Sequence, residues 1–283
     1  MTAAEMLREM VLARAGNEAE WMQTELDRLK RGAPERDLHI FMGLAPRRLG
    51  KANLRPTAEE SAAVERAVSG WSVEEWSVDG AARVLALLFH AGQRPFAERF
   101  KDLRRTADAS ELIALFRGLP LYPEPEALHF EVGEGLRSNL KPVFEAIAHH
   151  NPFPRDHFEE HRWNHMILKA LFIDSRLAPI VGLDERANPD LARILREYAH
   201  ERWAAGRPVA PELWRCVGPF AADEAALADL VRALSEGGAS GRAAALALSI
   251  SPAPQAHDIL AGRPEEDEIA AGRLDWHHLE ETA

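Results

Sequence analysis

The sequence predicts an all-α protein, built as an irregular HEAT-like helical repeat. Apolar residues recur at helical spacing along almost all of the 283 residues, and the strict alternation typical of strands is nearly absent. The chain is 46% hydrophobic and 28% charged, which is the balance of a globular protein with enough apolar side chains for a core. Short helices joined by tight turns stack in HEAT repeats, and the lack of a strict sequence period indicates an irregular array.

Individual helices are predicted from apolar spacing, cap residues and helix breakers. Asn188, Pro189 and Asp190 supply an N-cap, a preset first helical residue and an acid beside the positive helix end. Gly206 closes the same helix. Only residues 38–42 fit a short strand. The predicted helices cover residues 3–15, 17–31, 57–68, 80–91, 95–106, 110–118, 138–149, 155–173, 189–205, 211–217, 223–236, 240–249 and 254–261.

We predict one elongated helical domain over residues 1–283. Its first part contains a loop at 38–55, which is rich in Gly, Pro and basic residues and connects two helical regions. Its end carries a run of acids from Glu265 to Glu268, and such runs are typical of a solvated tail. The parts of this domain are N-terminal helices at 1–109, a central region at 110–220, helical repeats at 221–262 and the acidic tail at 263–283.

Composition narrows the partners and the compartment. A formal charge of -11 argues against nucleic acid and anionic membranes, because both favour a basic surface. Cys216 is the only cysteine, which excludes an intramolecular disulfide and suits a reducing cytoplasm. Charged residues interrupt the first helix, and no apolar run approaches the roughly 20 residues that span a bilayer. We therefore expect a cytoplasmic protein without a transmembrane segment.

Histidines, tryptophans and arginines crowd into residues 146–220. Trp163, Trp203 and Trp214 lie on helical sequence there, and large aromatic side chains fix their neighbours by packing. This density indicates a shaped site or a partner surface. The chain contains no nucleotide-binding loop, nucleophile elbow or metalloprotease helix, so no catalytic residue is predicted.

Three histidines are candidate metal ligands. His157, His161 and His165 fall at a spacing of four on the predicted helix 155–173, which places them on one face. Histidine pairs bind zinc and other divalent metals. The outer two lie about 12 Å apart along the axis, so one ion would take two of them and need a ligand from elsewhere. The alternative is that these histidines sit at the boundary of a buried face and bond carboxylates or water, with no cofactor.

Polar residues around the predicted helix 138–149 have two interpretations. Arg137 offers a rigid fork for carboxylate or phosphate, and the asparagine side chain can both donate and accept. These residues could line a ligand pocket. Alternatively, Asn139 and Asn151 cap helices and Arg137 pairs with Glu134. The candidate ligand-binding residues of this group are Glu134, Arg137, Asn139, Asn151, Asn164 and Lys169.

His200, beside Glu201 in the AHERW segment, is a candidate for acid-base chemistry. A histidine beside a carboxylate can do acid-base work. Adjacent helical residues point about 100° apart, so His200 and Glu201 form no pair, whereas Arg196 or Glu197 can reach His200. The two interpretations are catalysis and a buried polar network that joins this helix to the one with Trp214.

We predict that these polar residues converge on one cleft near the middle of the chain, with Trp163 and Trp203 as its walls. Helices stacked side by side present residues on a shared surface. Guanidinium and ammonium groups pair with oxygen acceptors, so the ligand would be anionic or polyhydroxylated. The remaining members of the cleft are Arg137, Asn139, Asn164, Lys169, His200 and Arg202.

A separate basic cluster lies in the loop 38–55. Arg47, Arg48, Lys51 and Arg55 could hold a phosphate or diphosphate. The alternative is a solvated loop that pairs with acidic helices.

Several linked motifs resemble the EboA family of metabolite-traffic proteins. The likeness covers roughly residues 110–220 and, through LHIFMGLAPRRLGKANL, part of the first third of the chain. Such motifs in the right order are a specific signal. They are a turn at Val132–Gly135, the run Arg137–Asn139, then NPFP, WNHMILKALF, GLDERANPDLAR, YAHERWAAGR and ELWRCVGPF.

The resemblance implies a place in a bacterial gene cluster that makes and moves a small secondary metabolite. It implies export of a pigment precursor and neighbours that include a prenyltransferase and sugar-metabolism-like enzymes, but no known catalytic step. We therefore expect a non-enzymatic accessory or scaffold protein that binds the metabolite or enzymes of the same gene cluster. The alternatives are an enzyme of unknown reaction, metal-dependent through residues 149–165, and a structural scaffold without a small-molecule site.

Overall fold

The computed structural model describes residues 1–277 and 279. Within these residues the regular structure is helical and no strand forms; bridge residues such as Asn53 and Ser77, which pair with each other, are isolated. The predicted all-α class is therefore confirmed, and the HEAT-like repeat stays a prediction. In the same part of the chain, no helix is both long and apolar enough to cross a membrane.

The described chain forms seventeen α-helices in two compact units, which divide after Phe158. That the chain is one elongated domain stays a prediction. The first unit contains α1 (Ala3–Arg14), α2 (Ala19–Lys30), α3 (Glu35–Leu49), α4 (Ala58–Ala67), α5 (Val78–Phe89), α6 (Phe96–Thr106), α7 (Ala109–Arg117), α8 (His129–Leu136), α9 (Lys141–Ala148) and α10 (Phe153–His157). The second contains α11 (Glu160–Phe172), α12 (Pro189–Ala204), α13 (Leu213–Val217), α14 (Glu224–Glu236), α15 (Gly238–Ser249), α16 (Pro254–Leu260) and α17 (Pro264–Ala270).

Helix α5 is the centre of the first unit. Every residue from Val78 to Leu87 is buried, and the helix packs against α1, α2, α3 and α7. A helix that is apolar on all sides is stable only inside a core. Two charged residues interrupt it, and they pair with each other: Arg83 Nη1 lies 3.3 Å from Asp79 Oδ2.

Helix α3 corrects two predictions, the strand at 38–42 and the basic loop at 38–55. Leu38, Phe41, Met42 and Ala45 are buried at helical spacing on one face. Pro46 lies inside the helix, where a proline removes the hydrogen bond to the carbonyl four residues earlier. Here the Arg83 side chain replaces it, because its Nε donates to the Met42 carbonyl at 3.0 Å.

The predicted turn at Val132–Gly135 is also helical, within α8. Its glycines suggested a turn, but Gly135 meets a packing requirement instead. A Cβ at this position would lie 2.4 Å from the Phe116 ring and 2.7 Å from Ile147. Only glycine allows α8 to approach its neighbours this closely.

The predicted helix 155–173 is two helices. Helix α10 ends at His157, Phe158 takes an extended conformation, and α11 begins at Glu160. Phe158 is buried, with its ring edge-on to Phe153. The histidine spacing fits a continuous helix, and burial of this ring accompanies the break.

Helix α15 is the centre of the second unit. Residues 243–248 are buried throughout, and the helix packs against α13, α14, α16 and α17. Its alanines permit close contacts. A Cβ on Gly218 would lie 2.7 Å from the Ala247 carbonyl oxygen, so only glycine allows the chain to touch α15 there.

The predicted acidic tail at 263–283 contains helix α17. Glu265, Glu266 and Asp267 occupy its first turn, where carboxylates stabilise the positive end of the helix. The acid run therefore starts a helix, and none of the residues of this helix is buried. Residues 278 and 280–283 of the predicted tail lie outside the described residues.

Candidate functional site

The N-terminus of α12 forms as predicted. The Asn188 side chain accepts a hydrogen bond from the Leu191 backbone N–H at 2.8 Å, and Pro189 is the first helical residue. Asn164 on α11 exchanges amide hydrogen bonds with Asn188, at 3.2 and 2.9 Å. Asn164 is almost fully buried. Its observed contacts therefore hold the cap of α12.

Three turns further along α12, two side chains meet one carboxylate of α14. His200 Nε2 lies 2.7 Å from Asp229 Oδ1, and Arg196 Nε donates to Asp229 Oδ2 at 2.7 Å. Asp229 is 7% exposed. A buried carboxylate is costly unless it is paired, so these two contacts explain how the charge is tolerated. This matches the predicted polar network, but the network joins α12 to α14 rather than to the helix with Trp214.

Trp203 continues this arrangement one turn later on α12. Its ring stacks on the buried Trp214 ring of α13, with centroids 5.7 Å apart. The Arg232 guanidinium of α14 lies 4.1 Å from the Trp203 ring centroid, and the Trp203 indole N–H donates to Glu236 at 2.8 Å. We name Arg196, His200, Trp203, Asp229 and Arg232 the α12–α14 cluster.

The cluster leaves hydrogen-bonding groups unused at the surface. Arg232 is exposed, and its guanidinium makes no hydrogen bond or ion pair within residues 1–277. His200 is also exposed, and its Nδ1 has no partner in the same range. A guanidinium held over an indole ring is positioned before a ligand arrives. This arrangement suits an anion that has an aromatic or apolar part.

The other predicted residues of the second unit lie outside this cluster. The Arg202 Nε donates to the Pro208 carbonyl at 2.9 Å. Trp163 is fully buried, with the Arg186 guanidinium 4.8 Å from its ring centroid. Lys169 is half-buried, and desolvation lowers the pKa of its ammonium group.

The first unit holds the remaining predicted residues. The exposed Arg137 forms an ion pair with Glu134, as one of the two interpretations has it. Asn139 is exposed and is not the N-cap of α9, because the N-cap residue is Leu140. The Leu140 N–H donates to the Ser138 hydroxyl oxygen. The capping prediction for Asn139 is therefore wrong.

Asn151 is a buried clamp between helices. Its Nδ2 donates to the carbonyls of Phe116 and Ala146, both at 3.1 Å, and its Oδ1 accepts from the Phe153 N–H at 3.0 Å. Both amide hydrogens are thus used within the protein. Asn151 is not the cap residue of α9 or of α10, but its side chain bonds one end group of each helix.

Among the predicted ligand-binding residues, the structure brings together His200 with Trp203 and Arg137 with Glu134. Asn164 contacts the first turn of α12, and twelve residues of helix, about 18 Å, separate Asn188 from His200. Asn164 and His200 therefore do not line one pocket. Ligand binding by the residues named from the sequence stays a prediction.

The three candidate metal-binding histidines do not lie on one helix. His157 lies on α10, whereas His161 and His165 lie on α11 with ring centroids 4.3 Å apart. His157 Nδ1 is 3.6 Å from Glu126 Oε1. In the described part of the chain, no three potential ligands lie close enough to hold a metal ion. A divalent metal cofactor stays a prediction.

The basic cluster of the first third lies at the end of α3 and beyond. Arg48 pairs with Glu18 at 3.3 Å, and its guanidinium lies 5.6 Å from the Trp21 ring centroid. Arg47 and Lys51 are exposed. Pairing of the cluster with acidic helices is therefore observed for Arg48.

Asp229 and Arg232 were not predicted from the sequence. Asp229 had a signal, because it falls between Ala226, Leu230 and Ala233 on the buried stripe of α14. A charged residue within such a stripe requires a partner. No sequence signal pointed to Arg232, because exposed arginines are common on helices.

The protein is thus all-α and carries a cluster of polar and aromatic side chains at its surface. Residues 3–218 match the family described as metabolite traffic protein EboA, and the chain belongs to this family. The match confirms the resemblance and supports a metabolite-related role. It includes α12 and Trp214 but ends before α14. No curated protein and no solved structure matches this chain.

Proposed function

We propose that the chain is a non-enzymatic accessory protein for the synthesis or traffic of a small secondary metabolite in the cytoplasm. It binds an anionic group of that metabolite at the α12–α14 cluster. The observation that carries this proposal is the exposed Arg232 guanidinium, which lies over the Trp203 ring and makes no hydrogen bond or ion pair within residues 1–277. Binding of a pathway enzyme at the same surface is the other outcome of the test.

The surroundings of Arg232 favour an anion. The nearby carboxylates are already engaged, Asp229 by Arg196 and His200 and Glu236 by the Trp203 N–H. A planar guanidinium offers paired donors that match a carboxylate or phosphate. The rigid indole beneath it reduces the ordering cost of binding.

The proposal is tested with Arg232→Gln. In producing cells, this variant should lower metabolite output several-fold at unchanged protein level and melting temperature, because an exposed side chain is removed. In vitro, quenching of tryptophan fluorescence by benzoate and by phenyl phosphate should be lost. Arg193→Gln is the matched control, since Arg193 is an exposed arginine of α12 paired with Asp190 and Glu197. Equal loss in both variants would contradict a specific site, and normal output with Arg232→Gln would contradict the function.

A second candidate is acid-base catalysis by His200. Its 2.7 Å contact with Asp229 is the arrangement that orients a general base. His200→Gln separates the candidates, because the glutamine amide can still donate to Asp229 but cannot exchange a proton at neutral pH. Catalysis requires that output be lost, whereas the binding proposal predicts that most output remains.

A further inference from the structure

A cavity of about 410 Å³ lies among the last turn of α15, α16 and α17. This volume lies within the range of small-molecule sites, roughly 300–1,000 Å³. Its walls are mostly apolar and include Leu248, Pro252, Leu260 and Ile269. All of its lining residues follow residue 218, where the family match ends. None of the lining residues belongs to the α12–α14 cluster, so the cavity is a separate site and the inference is independent of the proposed function.

The polar groups of this cavity are mainly acceptors. The Ser249 hydroxyl donates its hydrogen to the Leu246 carbonyl at 2.7 Å. The Ser251 hydroxyl donates to Ala221 at 2.7 Å and accepts from the Ala253 N–H at 3.2 Å. Neither hydroxyl hydrogen is left for a ligand, although Ser249 keeps lone pairs.

Glu266 adds the only ionised acceptor among the lining residues. Its Oε2 accepts from the Gly262 N–H at 2.8 Å, and its Oε1 accepts no hydrogen bond within residues 1–277. The lining contains neither lysine nor arginine. His257 is exposed and can donate or accept. A carboxylate in a lining without lysine or arginine repels anions and attracts hydrogen-bond donors.

We propose that this cavity binds a small apolar molecule that carries one hydrogen-bond-donating group, an alcohol or a protonated amine. The apolar body fills the space between α15, α16 and α17. Its donor meets Glu266 Oε1 and the Ser249 hydroxyl oxygen. The corresponding carboxylate is disfavoured by the charge of Glu266.

The test uses three probes with the same rigid body: 1-adamantylmethanol, 1-adamantylmethylamine and adamantane-1-carboxylate. Affinities are measured by calorimetry and ligand-observed NMR on the full chain. The amine and the alcohol should bind at least about tenfold tighter than the carboxylate, because only they form the hydrogen bond to Glu266. Glu266→Gln should weaken the amine and reduce this preference, since the amide offers a donor and carries no charge.

Ala270→Phe should fill the mouth of the cavity and abolish binding. Ala271→Phe is the matched control, because Ala271 is an exposed neighbour that does not line the cavity. The melting temperature of each variant verifies folding. The proposal is overturned if no probe binds at its solubility limit, if the carboxylate binds as tightly as the amine, or if the Ala270→Phe protein folds and binds like the wild type.

Discussion

At the scale of single residues, Asp229 shows how one buried charge organises a surface. Its two oxygens fix Arg196 and His200 on the neighbouring helix. The sequence indicated a polar network at His200 and offered Arg196 or Glu197 as partners. The actual partner is 29 residues away. Contacts between helices of this kind depend on packing, which a single sequence does not specify.

Asp229→Ala should destabilise the protein by about 1–3 kcal/mol. The variant leaves a half-buried arginine without its carboxylate, and removal of one partner of a fully buried pair costs about 3–5 kcal/mol. The exposure of His200 lowers that figure. Chemical denaturation measures the change. Glu197→Ala, which breaks an exposed ion pair with Arg193, should change stability by less than about 1 kcal/mol. Equal effects of the two variants would mean that burial of Asp229 contributes nothing.

At the scale of helices, α12 and α3 mark what the sequence could and could not predict. The N-terminus of α12 is predicted from two consecutive residues, Asn188 and Pro189, and the structure confirms this start. Helix α3 was missed because Pro46 and its basic residues resemble a loop. Its proline is tolerated through Arg83, which lies 41 residues from Met42 in the sequence. Local sequence patterns therefore predict a helix whose backbone groups are hydrogen-bonded by residues close in sequence. They fail where a side chain distant in sequence supplies the missing hydrogen bond.

The pairing of Pro46 with Arg83 is testable by a double-mutant cycle. Arg83→Met should cost about 3–5 kcal/mol, because it leaves the buried Asp79 carboxylate without its cation. It also leaves the Met42 carbonyl without its donor. In the Pro46→Ala background the new backbone N–H can bond that carbonyl. Arg83→Met should then cost less, by about 0.5–1.5 kcal/mol, the net worth of one hydrogen bond. Strict additivity in denaturation experiments would show that Arg83 does not compensate for the proline.

At the scale of the whole molecule, each unit is built around one helix buried on nearly every side, α5 in the first and α15 in the second. The apolar period predicted the helical class but not the break at Phe158, because His157, His161 and His165 keep helical spacing across it. Division into units depends on which apolar faces meet. Apolar spacing in the sequence identifies the apolar face of each helix, but not the helix that packs against that face.

Cys216, the only cysteine of the chain, lies in the core of the second unit and reports on its integrity. Burial raises the pKa of its thiol to about 12, so the reactive thiolate is scarce near neutral pH. In the native protein at pH 8, the thiol should resist Ellman's reagent for hours, and one equivalent should react on denaturation. Gly218→Ala should accelerate the native reaction, because its Cβ would collide with the Ala247 carbonyl of α15 and loosen the packing around α13. A wild-type thiol that reacts within minutes would show that this core opens readily, and an unchanged rate in Gly218→Ala would show that the close approach of Gly218 to α15 does not limit its opening.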